Sequence, residues 1–125
     1  AKPFLMAQAI AGSPPPPPCN TPGTPLNLTA QSGLKRSVKL TWSPGTPAPT
    51  TGGYQIYYDQ NGKLVYRATV GTGVTTYTDT GLNRSTTYCY RITAWEDCNG
   101  NGLFDSGTDT ESPATTAKCA TTSSK

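Results

Sequence analysis

The chain of 125 residues has no histidine, one methionine, two phenylalanines and only 14% charged residues. Without histidine, and with no C-x₂-C knuckle among its cysteines, it lacks the ligand pattern of a zinc site. It also has no G-x-S-x-G elbow, no phosphate-binding glycine loop and no carboxylate pair outside one acidic stretch. Those absences argue against an enzyme. No apolar run is long enough to span a bilayer, and no window keeps a helical period. The net charge is +3, yet the cations are dispersed and only Lys35-Arg36 are adjacent. A nucleic-acid surface needs a dense basic stripe interleaved with aromatics, and none is present.

What the chain does have is 12 prolines, 13 glycines and abundant threonine. That composition suits short strands joined by turns, and the length suits one domain plus tails. Residues 25–31 alternate weakly as a first strand. In 37–43, Val38, Leu40 and Trp42 point one way while Lys39 and Thr41 point the other. Tyr54, Ile56 and Tyr58 mark a third strand, and Asn61-Gly62 is a hairpin signal leading into residues 63–70. Further strands fall at 74–78, 86–95 and 113–121. The reading is all-β with seven strands. Trp42, Tyr88 and Tyr90 belong to the core, whereas Tyr57 and Trp95 have the opposite parity and should face solvent or a partner.

Leu82-Asn-Arg-Ser-Thr-Thr-Tyr88, followed by Tyr90, Ile92 and Ala94, looks like the tyrosine corner of a β-sandwich. Together with Trp42 and Tyr54-x-Ile56-x-Tyr58, it makes residues 22–122 resemble a fibronectin type III domain. The resemblance implies a seven-stranded sandwich that binds or builds rather than catalyses. It divides the chain into an apolar extension (1–13), a Pro-rich linker (14–24) and the sandwich (25–122). The chain departs from the family in a long loop between the sixth and seventh strands, in its four cysteines and in the extension.

Four cysteines in a short β-rich chain suggest disulfides and an oxidising, extracellular or cell-surface location. A start at Ala-Lys, without methionine, is compatible with a removed signal peptide. In the topology the resemblance implies, the sixth and seventh strands are antiparallel neighbours, which sets Cys89 opposite Cys119 on the outer face. Cys19 and Cys98 then lie at one pole. The expected bridges are Cys89–Cys119 and Cys19–Cys98, each worth roughly 3.5–4.5 kcal/mol in the chain-entropy model. A Cys89–Cys98 bridge is rejected unless the sixth strand ends early.

Five of the seven acids (Glu96, Asp97, Asp105, Asp109 and Glu111) cluster with no Lys or Arg among them. Asp97, Asn99, Asn101, Leu103 and Asp105 take the spacing of EF-hand ligands, with Gly102 at the sharp turn. The pattern also resembles the calcium loops of bacterial adhesins. The twelfth position is Thr108, and Asp109 comes one residue late. The expectation is a structural calcium ion, set against an acidic Gly/Asn turn that binds none. Glu96 and Asp97 suit metal or solvent better than acid–base chemistry.

Residues 3–11 form the most apolar nonamer outside the sandwich, and Pro14–Pro18 form a polyproline rod of about 15 Å. Burying Phe4, Leu5, Met6 and Ile10 gains about 6–12 kcal/mol. Ordering nine residues costs roughly 9–18 kcal/mol, so the segment needs a groove and ladder hydrogen bonds. The leading expectation is a subunit of an extracellular filament that donates this strand head-to-tail to another copy of itself. A strand folded back on its own sandwich, a helix and a signal-peptide remnant are alternatives for the segment. The alternative function is an accessory protein- or carbohydrate-binding module of a larger secreted enzyme or adhesin, with the Pro-rich stretch as linker.

Overall fold

Period-two alternation builds a sandwich of two sheets from eight strands in a computed structural model that describes residues 19–125. The expectations placed on Phe4, Leu5, Met6, Ile10 and Pro14–Pro18 lie outside the described residues. The strands are β1 (Leu26–Gln31), β2 (Ser37–Ser43), β3 (Gly53–Gln60), β4 (Lys63–Gly71), β5 (Thr76–Thr80), β6 (Thr87–Glu96), β7 (Thr110–Glu111) and β8 (Lys118–Thr121). One sheet has the order β1-β2-β5, the other β4-β3-β6-β7, and β8 also pairs with β6.

Most strand ends shift by a residue or two from the sequence reading, and two departures have a clear cause. β5 starts at Thr76 because Val74 belongs to a turn, its N–H donating to the Gly71 carbonyl at 3.3 Å. Of the expected last strand, 113–121, only the end is strand (β8), while β7 forms before Pro113, which has no N–H for the ladder. There the Ser112 and Thr115 hydroxyls accept from the Ala94 and Ile92 N–H groups at 2.9 and 3.0 Å. The Ser112 and Thr115 N–H groups donate in return to the Ala94 and Ile92 carbonyls at 2.8 and 3.0 Å, so side chains and backbone together dock the segment on β6.

Val38, Leu40 and Trp42 from β2 meet Tyr54, Ile56, Tyr90, Ile92 and Ala94 from the facing sheet. Each fully buried aliphatic side chain stabilises the fold by about 1.5–3 kcal/mol relative to exposure. Trp42 packs edge-on against Tyr54 with ring centroids 5.5 Å apart. The tyrosine corner closes as its chemistry requires: the Asn83 N–H donates to the Tyr88 hydroxyl at 2.9 Å. Buried Leu82 is fastened by its N–H to the Arg36 carbonyl at 3.1 Å.

The Asp79 carboxylate lies between the sheets. Asp79 is fully buried and accepts from the Tyr58 and Tyr90 hydroxyls and Arg67 Nε at 2.7–2.8 Å. A buried charge is tolerated only with such partners. Burial, and next Asp79, push the Tyr58 and Tyr90 hydroxyls well above the usual tyrosine range.

Cys19 is bonded to Cys98, with Cα atoms 5.5 Å apart, and Cys89 to Cys119. Cys89 stands directly opposite Cys119 in the β6–β8 ladder. Strand entry and the 97–109 loop are therefore tied at one pole.

Candidate functional site

The outer face of the β4-β3-β6 sheet carries side chains that the core does not use. The Asn61-Gly62 turn has positive φ at both residues (57° and 86°), as a two-residue hairpin demands. It sets Tyr57 of β3 opposite Tyr66 of β4, and a bulge after Ile56 then sets Gln55 opposite Thr69. Across the other edge of β3, Gln55 faces Thr93 of β6. β7 adds Glu111 beside Trp95.

These residues form one chain of hydrogen bonds. The Tyr66 and Thr69 hydroxyls are 2.7 Å apart, and Thr69 donates to Gln55 Oε1 at 2.9 Å. Gln55 Nε2 donates to the Tyr57 hydroxyl at 3.1 Å. Tyr57 and Thr93 both donate to Glu111 Oε2, at 2.5 and 2.6 Å. Burial first, and then the Glu111 carboxylate, hold the Tyr57 hydroxyl protonated well above the usual tyrosine range. The rings of Tyr57 and Tyr66 meet edge-to-face at 6.3 Å.

Trp95 corrects the parity argument. It points outward from β6 but is only 3% exposed, because Phe104 folds over it at 5.6 Å in an edge-to-face contact. Gly52 makes room on the same side; a Cβ there would sit 2.7 Å from the indole Cδ2 and collide with the Trp95 carbonyl. The result is a trough of about 610 Å³ lined by Gln55, Tyr57, Tyr66, Thr69, Trp95 and the loop residues 102–105. Tyr66 and Leu103 stand 58% and 66% exposed along it.

Glu96 is the second correction. Rather than serving metal or solvent, it is buried and ties the β2–β3 loop to β6. Its carboxylate accepts from the N–H groups of Thr50 and Thr51 at 2.7 and 2.8 Å and from both threonine hydroxyls. Burial alone would raise its pKa, but these bonds outweigh burial and hold it below the ordinary 4.5.

In the 97–109 loop the expected ligands lie close in sequence but are turned onto the loop's own donors. Asp97 accepts from the Gly100 and Gly102 N–H groups at 3.0 and 2.7 Å. Asn99 and Asn101 accept from the N–H groups of Asn101 and Leu103, and donate their amides to Asp105 at 2.9 and 2.6 Å. Those two amides lower the Asp105 pKa. Asp109 receives the N–H groups of Cys98 and Asp105, both at 2.7 Å. Among the described residues no three His, Cys, Asp or Glu side chains converge on a common centre.

Comparison with known proteins agrees with this architecture. The chain is 35% identical over 96 residues to chitinase Chi52 of Paenibacillus xylanexedens, covering 77% of this chain and 17% of that one. It is 39% identical over 85 residues to an alpha-amylase of Niallia circulans, covering 68% of this chain and 6% of that one. The chain thus spans a small part of the curated relatives it matches. A Fn3-like protein from Clostridium thermocellum superposes with a TM-score of 0.52 at 26% identity, over 82% of this chain and 95% of that one. The family description "Fibronectin type III domain" matches residues 23–104. The chain belongs to the fibronectin type III domain family.

Proposed function

We propose that this chain is an accessory module of a larger secreted polysaccharide-degrading enzyme. The observation that carries the proposal is the share of the matches: most of this chain aligns with 17% of a chitinase and 6% of an amylase. A sandwich of this size is therefore one part among several in those proteins. Both disulfides suit an oxidising compartment outside the cytosol. The filament reading rests on residues 3–11, outside the described residues, and the relatives favour the module over it. An immunoblot of secreted native material tests the proposal. A band well above 13.1 kDa that copurifies with polysaccharide hydrolysis supports it. A single band at the chain's own mass overturns it and returns the subunit reading.

We also propose a structural calcium ion in the 97–109 loop, supported by donor spacing and by a backbone already curled around Asp97. Turning over the Asn99 and Asn101 amides would offer oxygen in place of nitrogen, and Asp97, Asp105, Asp109 and the Leu103 carbonyl would complete the set. Millimolar calcium should then raise the Tm relative to EGTA. Coincident melting curves remove the ion.

A further inference from the structure

We propose that the outer trough of the β4-β3-β6 sheet binds a neutral polysaccharide chain, with Tyr66, Tyr57 and Leu103 as the apolar contacts and Thr69 and Asp105 as the polar ones. This deepens the accessory-module reading and rests on it.

Charge is the first argument. Among the described residues no Lys or Arg lines the trough, while Asp105 belongs to it and the lining Tyr57 donates to Glu111. An acidic polymer would be repelled, and a basic peptide would find only one carboxylate at the rim, since Glu111 is engaged by Tyr57 and Thr93. A neutral polyol meets neither obstacle.

Shape and chemistry are the second. A pyranose ring has one face of C–H groups and a rim of hydroxyls. The C–H face packs on the electron-rich face of an aromatic ring, and the hydroxyls want donors and acceptors beside it. The trough pairs exposed aromatic and aliphatic surface with a hydroxyl and a carboxylate in one opening. Its volume of about 610 Å³ falls within the roughly 300–1,000 Å³ of small-molecule sites.

Rigidity is the third. Tyr66 is more than half exposed, yet Thr69 holds its hydroxyl at 2.7 Å and Tyr57 supports its ring. An exposed tyrosine fixed in this way loses little freedom when a ligand arrives.

Native affinity electrophoresis of the whole chain, in gels containing glycol chitin, soluble starch or hydroxyethyl cellulose, tests the proposal. Retardation is expected in at least one gel. Tyr66→Ala should weaken it at least tenfold while lowering the Tm by only a few degrees, and Leu26→Ala, exposed on the opposite sheet, should behave as the parent. Equal retardation of the Tyr66→Ala variant would place binding elsewhere and overturn the proposal. No retardation in any gel would overturn it too. If the immunoblot still shows the larger protein, the module reading stands without this binding site.

Discussion

The two faces of the β4-β3-β6 sheet are made from alternate residues of the same strands, and they are held by different physics. Inward, Tyr54, Ile56, Tyr90, Ile92 and Ala94 exclude water, and Asp79 is the one carboxylate among them. Outward, Gln55, Tyr57, Thr69, Thr93 and Glu111 pass hydrogen bonds from strand to strand. Burial on the inner face is what folding demands. The outer chain aligns several polar side chains for modest net stability, since each intramolecular hydrogen bond contributes only about 0.5–1.5 kcal/mol. That outer order is what the proposed binding surface is built on.

Substitutions on each face sharpen the contrast. On the inner face, Ile92→Ala should cost the most, about 2–5 kcal/mol of unfolding free energy in urea titration, because β6 is central and the cavity cannot collapse. At the pole between the faces, Glu96→Gln should cost about 1–3 kcal/mol at neutral pH by weakening bonds to an ionised acceptor. The Glu96 pKa is lower in the folded chain than the ordinary 4.5. Its contribution is therefore present above that value and lost as pH falls through the folded pKa. Melting curves should show the gap between parent and Glu96→Gln closing below about pH 4.5; a constant gap would mean the charge is not what matters. On the outer face, Tyr57→Phe should cost least, about 0.5–1.5 kcal/mol, since the ring stays and one hydroxyl is lost.

The inner face could be read from the sequence because its signal is local. Alternation in residues 37–43 and 54–58, and the Leu82 to Tyr88 spacing, need no knowledge of distant chain. The outer site was only partly legible. Asn61-Gly62 is a two-residue turn, and that alone fixes Tyr57 opposite Tyr66; the pairing could have been read. The bulge after Ile56, which brings Gln55 to Thr69, has no local signature. Trp95 was misplaced because parity assigns a face but not its cover, and Phe104 reaches it from a long loop. Glu96 was missed because Thr50 and Thr51 lie 46 and 45 residues away. The last strand is confined to 118–121, and Pro113 at the head of the expected segment, without an N–H for a ladder, is a signal the sequence does carry.

The central claim is that the outer face can lose its function without losing the fold. The direct measurement is urea unfolding of the double variant Tyr66→Ala/Leu103→Ala beside the parent, on the same samples used for polysaccharide gels. The account predicts an unfolding free energy lower than the parent's by only about 1 kcal/mol, the worth of one exposed hydrogen bond and one edge-to-face contact, together with lost retardation. A fall in stability approaching that of Ile92→Ala would show that the trough is part of the fold's support, and would contradict the account.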